Sequence, residues 1–264
     1  MAILIQASLV RGLAVFGVLA KGRFATAIDT RLYLPKKWTD DQQRCNKAGI
    51  PENERVFKTK NQLALEIVEQ ARRNGVRFGW VGADAGYGSG PDFLFALDNA
   101  GHTFLVDVHK SFVVYELDPQ PTIPVLSSKG SKARRSITGK KGLSVEELVE
   151  SCSSKDWKVC NVRETTRGTL KLRVLRKSVE VWDKQSEQAR RYQLLVTENL
   201  DGEDRKYSLL MDPTKKLAID PLSALADLAD QWSERVIGDP GGYSLIRRRR
   251  QAATPPRAAA VPRG

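Results

Sequence analysis

The sequence predicts an α/β protein: a mixed sheet with helices packed on it, then a strand-rich region, then a disordered basic tail. Three observations carry this. Strand, helix and strand alternate across residues 76–109, strand-type text dominates 157–211, and residues 240–264 hold six arginines, five alanines and four prolines with no acid. The alternation favours a sheet covered by helices, and the last segment has too little apolar content to bury a core.

The elements follow in chain order. Residues 2–20 are apolar but broken by Gln6, Ser8, Arg11 and Gly12. That is strand text rather than the roughly 18 or more uninterrupted apolar residues of a membrane span. Runs 13–20 and 24–34 flank Lys21-Gly22-Arg23 as a β-hairpin. The polar, proline-containing segment up to about residue 60 reads as loop with a short helix. Leu63, Ala64, Ile67, Val68 and Ala71 give 61–74 a helical apolar face, ended by Asn74-Gly75. Val76 to Ala83 is a strand ending at Asp84, Gly86 to Pro91 a turn, Asp92 to Asn99 a helix, and His102 to His109 another strand. Pro119, Pro121 and Pro124 then open a Ser/Lys/Gly/Arg-rich linker. Ser144 with Glu147 three residues on marks a capping box for a helix over 143–151. Strands follow at Thr169–Leu175, Val179–Trp182, Tyr192–Val196 and Lys206–Met211, with a turn over Asn199–Asp204 and a last helix over 220–236.

Charge is unevenly placed along the 264 residues. The chain has 43 Lys+Arg against 31 Asp+Glu. Lys129, Lys132, Arg134, Arg135, Lys140 and Lys141 lie in one acid-free run, and the six tail arginines in another, leaving 31 of each sign elsewhere. A uniformly basic nucleic-acid coat is therefore excluded, while two basic appendages suit contact with DNA phosphates. Three scattered cysteines and two histidines exclude a disulfide framework and a His-rich zinc centre.

The chemistry-bearing segment is Val81-Gly82-Ala83-Asp84-Ala85-Gly86-Tyr87-Gly88-Ser89-Gly90. A carboxylate at a strand end, followed by a glycine turn, stands where open α/β sheets bind ligands. Three readings stay open at this point. Asp84 caps a turn; or it opens a glycine loop for S-adenosylmethionine, with Asp107 on the ribose; or it belongs to a set of two or three carboxylates holding divalent ions for phosphoryl transfer. Neither a dinucleotide loop nor a P-loop is present, and Asp84 would repel a phosphate.

The ordered motifs FATAIDTRLYLP (24–35), WTDD (38–41), AGIP (48–51), FKTK (57–60) and WVGADAGYG (80–88) resemble the middle of a DDE-type insertion-sequence transposase, also called a DDE superfamily endonuclease. The likeness continues through Val106–His109 and Asp118-Pro119 and resumes at Trp157, Arg163, Thr166–Gly168 and Val181-Trp182. It implies a partial ribonuclease-H-like mixed sheet and a strand-rich insertion between the second and third catalytic carboxylates. It also implies magnesium-dependent cutting and joining of transposon-end DNA. Asp84 maps onto the second carboxylate, and Glu234, in the segment 231–235, onto the third; both are the implied catalytic and metal-holding residues.

Nothing before residue 12 matches the strand that carries the first Asp, and Asp29 reads as structural. The tail departs from the family and reads as frameshifted, so the chain is expected to be truncated and catalytically incomplete. The expected organisation is 1–118 with Asp84, a basic linker 119–142, the insertion 143–212, a helix with Glu234 in 213–239, and the tail 240–264. The expected partner is DNA, bound through Lys129, Lys132, Arg134, Arg135, Lys140 and Lys141, with a homodimer for a full-length form. The expected location is the bacterial cytoplasm, at the nucleoid when bound. A non-catalytic DNA-binding remnant and a methyltransferase are the competing readings.

Overall fold

The computed structural model describes residues 1–7, 14–21, 24–120, 139–165 and 168–212. Glu234, the helix expected over 220–236, the tail, and Lys129, Lys132, Arg134 and Arg135 lie outside the described residues.

The chain opens with β1 (Ala2–Ala7), β2 (Ala14–Lys21) and β3 (Phe24–Leu32). Two short helices follow, α1 (Lys36–Thr39) and α2 (Gln42–Lys47), then the long α3 (Lys60–Arg73). Next come β4 (Trp80–Ala83), α4 (Pro91–Asn99) and β5 (Phe104–Val108). A small pair, β6 (Val113–Val114) and β7 (Leu143–Ser144), precedes α5 (Val145–Glu150). The remaining strands are β8 (Trp157–Thr165), β9 (Gly168–Asp183), β10 (Gln188–Glu198) and β11 (Lys206–Met211).

Nine strands form one sheet in the order β3-β2-β1-β4-β5-β11-β10-β9-β8. β1, β2 and β3 are an antiparallel meander, whereas β1, β4 and β5 are mutually parallel. The expected α/β architecture with a ribonuclease-H-like mixed sheet is thus present in the first five strands. The expected insertion contributes β8–β11, which continue the same sheet because β11 pairs antiparallel with β5. The strands expected at 169–175 and 179–182 are one uninterrupted β9, held along its length by β10.

The strand expected to start at Val76 starts at Trp80 instead. Its neighbour β1 supplies its first partner at Ala2, and Gly79 already bonds to the Met1 carbonyl, so residues 76–78 lie beyond the partner strand.

The main core lies between the sheet and the helices. Ile3, Ile5, Val81, Ala83, Phe104 and Val106 meet Leu63, Ile67, Val68, Phe93 and Leu94 there, all buried. Alternate residues of the same strands, such as Leu4 and Leu105, are buried in smaller clusters. Burial on both faces is what parallel strands in a covered sheet require. Helix α3 comes close to β2 because position 17 is glycine; a Cβ there would strike Ile67 Cγ2.

Thr59 starts α3 with a reciprocal box. Its hydroxyl accepts from Gln62 N, while Gln62 Oε1 accepts from Thr59 N. Thr59→Ala is expected to cost about 1 kcal/mol in urea unfolding; a loss under about 0.3 kcal/mol would show that the cap contributes nothing.

Candidate carboxylate site at the end of strand β4

Strand β4 is central, with β1 and β5 as parallel neighbours. Parallel pairing brings the carboxyl ends of all three strands to one edge, and Asp84 is the first residue past β4. The chain turns there immediately. Asp84 Oδ1 accepts from Gly86 N at 2.8 Å, and its carbonyl accepts from Tyr87 N at 3.0 Å. The loop then lies on β5: a Cβ on Gly88 would collide with the Asp107 carbonyl oxygen and come within 3.0 Å of Val108 Cγ1. Gly90 caps α4, whose first residue is Pro91, the position where proline's missing N–H costs no hydrogen bond.

Tyr87 anchors this loop in the core. It is 1% exposed, packs on the Phe93 ring at 5.6 Å, and its Oη has no hydrogen-bond partner among the described residues. Burial, with the Asp84 charge adding to it, pushes the phenol far above its ordinary range, so it stays neutral at any working pH.

Beyond Ala83, which pairs with Val106, the next residues of β4 and β5 are Asp84 and Asp107. Two half-buried acids therefore stand one strand apart. Asp107 Oδ1 accepts from Ser208 Oγ at 2.6 Å, across the β5–β11 pair. On the other side Ile5 pairs with Ala83, so the next residue of β1 is Gln6. The row across the three strand ends is thus Gln6, Asp84, Asp107.

Of the other residues singled out in the sequence, Lys140 and Lys141 lie just before β7, beside the small β6–β7 pair. Asp29 pairs with Arg31 at 2.9 Å, a structural use. His109 is exposed and shares a hydrogen bond with Ser111 at 2.8 Å. Lys58 pairs with Glu66 at 2.6 Å. None of the three cysteines forms a disulfide.

The residues that sequence reasoning undervalued are Gln6 and Asp107. Gln6 stood out only as a polar break in an apolar run, and such a run names a strand but not its neighbour.

Among the described residues, no group of three or more His, Cys, Asp or Glu converges, and no helix is long and apolar enough to cross a membrane. The family described as DDE superfamily endonuclease matches residues 13–169, more than half of the chain. That span runs from the start of the β2 hairpin through Asp84 and Asp107 to the start of β9. No curated protein matches the chain.

Proposed function

The chain belongs to the DDE superfamily endonucleases, and from that premise we propose that it is a transposase-type protein that engages transposon-end DNA but does not complete strand cleavage by itself. The observation that carries this reading is the place of Asp84, at the carboxyl end of the central parallel strand. That is where a phosphodiester-cutting site of this architecture needs a carboxylate.

The family generally works with divalent ions, and magnesium is the natural candidate for an oxygen-only donor set. A paired-ion site needs two or three carboxylates from separate elements. The described residues do not fit that demand. Asp84 and Asp107 end neighbouring strands, but no third His, Cys, Asp or Glu converges with them among the described residues. Glu234, the remaining candidate, is outside the described residues. No cleavage step is therefore assigned to this chain.

DNA contact is the part of the function its own residues supply. Lys129, Lys132, Arg134, Arg135, Lys140 and Lys141 form a run without acids, suited to phosphates and indifferent to sequence. Such a protein acts where DNA is, in the cytoplasm and at the nucleoid, and two copies would serve two transposon ends. The methyltransferase reading finds little support in this sheet. Its first three strands are antiparallel, and β5 is followed by antiparallel β11 rather than another parallel strand.

Filter retention of transposon-end duplex at increasing salt tests the proposal. With about five phosphates neutralised, the log–log salt slope is expected near −4 to −5. Changing the six basic residues to glutamine should flatten most of that slope, and unchanged retention would remove the DNA-binding role from this segment. Robust magnesium-dependent nicking that Asp84→Asn abolishes would overturn the claim of incompleteness.

A further inference from the structure

We propose that the outer edge of β3 is a self-complementary interface, through which two copies of this chain pair strand to strand about a two-fold axis at Thr30. This gives the two copies named above a meeting surface. Its support lies in β3 and needs neither Asp84 nor DNA contact.

β3 ends the nine-stranded sheet, and among the described residues no strand pairs with its outer side. Ala25, Thr26, Ala27, Thr30 and Leu32 are exposed along it, Leu32 to 57%. Natural sheets guard their edges against pairing with lysine or proline. The opposite edge, β8, carries exposed Lys158. β3 has neither residue type, and its two charges, Asp29 and Arg31, offset each other at 2.9 Å.

A bulge between the pairs Gly17–Asp29 and Val18–Ala27 leaves 29–32 as the regular part of this edge. When such a strand pairs antiparallel with its own copy, one residue lies opposite itself on the axis. Charge selects which one. With Asp29 or Arg31 on the axis, like charges would face each other. With Ile28 there, both charges would face alanines. With Thr30 there, Asp29 stands opposite Arg31 of the second copy, twice over, while threonine meets threonine and Leu32 meets Ile28. Opposite charges and threonine pairs are favourable cross-strand partners, and like charges are not.

The backbone is set for the same register. Thr30 N donates to Asp29 Oδ1 at 2.7 Å, so its single hydrogen is turned away from β2. A neighbouring carboxylate is a local substitute for a ladder partner. On pairing, each Thr30 N–H donates to the Thr30 carbonyl of the other copy, the doubly bonded arrangement of an antiparallel pair. Asp29 then turns to Arg31 across the axis.

Sedimentation velocity of the full chain over a range of concentrations, without DNA, tests the interface. A dimer fraction that rises with concentration is expected. Asp29→Arg and Arg31→Asp, each alone, should weaken association at least about tenfold, because both charged pairs become like-signed. An equimolar mixture of the two variants should associate again, since each then meets the opposite charge. Thr30→Pro removes the outward N–H, which an edge strand tolerates, and should be monomeric with unchanged near-ultraviolet dichroism. A monomer at every concentration would overturn the proposal. So would charge variants that dimerise like the unaltered chain, a mixture that stays monomeric, or a folded Thr30→Pro that still dimerises. Where a charge variant does not fold, Thr30→Pro against the unaltered chain decides alone. Because no nucleic acid is present, failure here is separable from failure of DNA retention.

Discussion

Gly88→Ala is expected to lower stability by about 3 kcal/mol, near the upper end of overpacking costs. The added methyl would enter the space of the Asp107 carbonyl oxygen, with Val108 Cγ1 at 3.0 Å. Neither neighbour is the loose end of a flexible side chain. Asp107 is part of β5, which is paired with β4 on one side and β11 on the other, so the loop must lift instead. Lifting it strains the bonds that Tyr87 N and Gly88 N make to the Asp84 carbonyl, 3.0 and 3.4 Å long, and loosens the seat of buried Tyr87. Thermal unfolding should show a drop of about 6–12 °C for a domain of this size. A change under about 2 °C would show that the loop has slack, and Asp84 would then be less firmly placed than its contacts indicate.

Glu198→Ala is expected to cost about 2–3 kcal/mol. Glu198, at the end of β10, is 1% exposed. It stands opposite Arg173 of β9 in register. Arg205 Nε donates to its Oε2 at 2.7 Å, while Arg173 Nη1 lies 2.8 Å from Oε1 as an ion pair without hydrogen-bond geometry. Both guanidinium groups also lie over the Trp157 ring, at 4.9 and 5.7 Å. Removing the acid leaves two cations facing each other beside an apolar surface, which costs several kcal/mol when the partners are fully buried. The arginines are about one-third exposed, so water recovers part of the loss. Urea unfolding measures the effect. Glu198→Leu combined with Arg173→Leu should be more stable than Glu198→Ala, since it removes a mismatched charge along with the acid. A loss under about 0.5 kcal/mol for Glu198→Ala would mean that the cluster is held by packing on Trp157 alone.

Local chemistry was legible wherever it repeats within a few residues. The apolar face of α3 is at the predicted positions, and both predicted caps formed: Asn74-Gly75 ends α3, and Ser144 with Glu147 starts α5. Asp84 was found as a strand-end acid before a glycine turn, and that is where it lies. The split expected within β9 failed for the opposite reason. Arg176-Lys177-Ser178 looks like a polar break, yet β10 pairs through it, and Arg176 Nε is held by Gln193 and Lys177 Nζ by Glu116.

Spacing and residue type are properties of the chain, and they sufficed to identify the class, the helices α3, α4 and α5, and a strand-end acid at position 84. Neighbours across a sheet are not such properties. Nothing local to residues 2–7 says that they run beside 80–83, or that β11, about a hundred residues beyond β5, closes against it. Those pairings are selected by the burial of both sheet faces together, and a slip of one residue would turn every side chain of the strand to the wrong face. Asp107 gained its significance only there, where parallel pairing set a second acid one strand from Asp84.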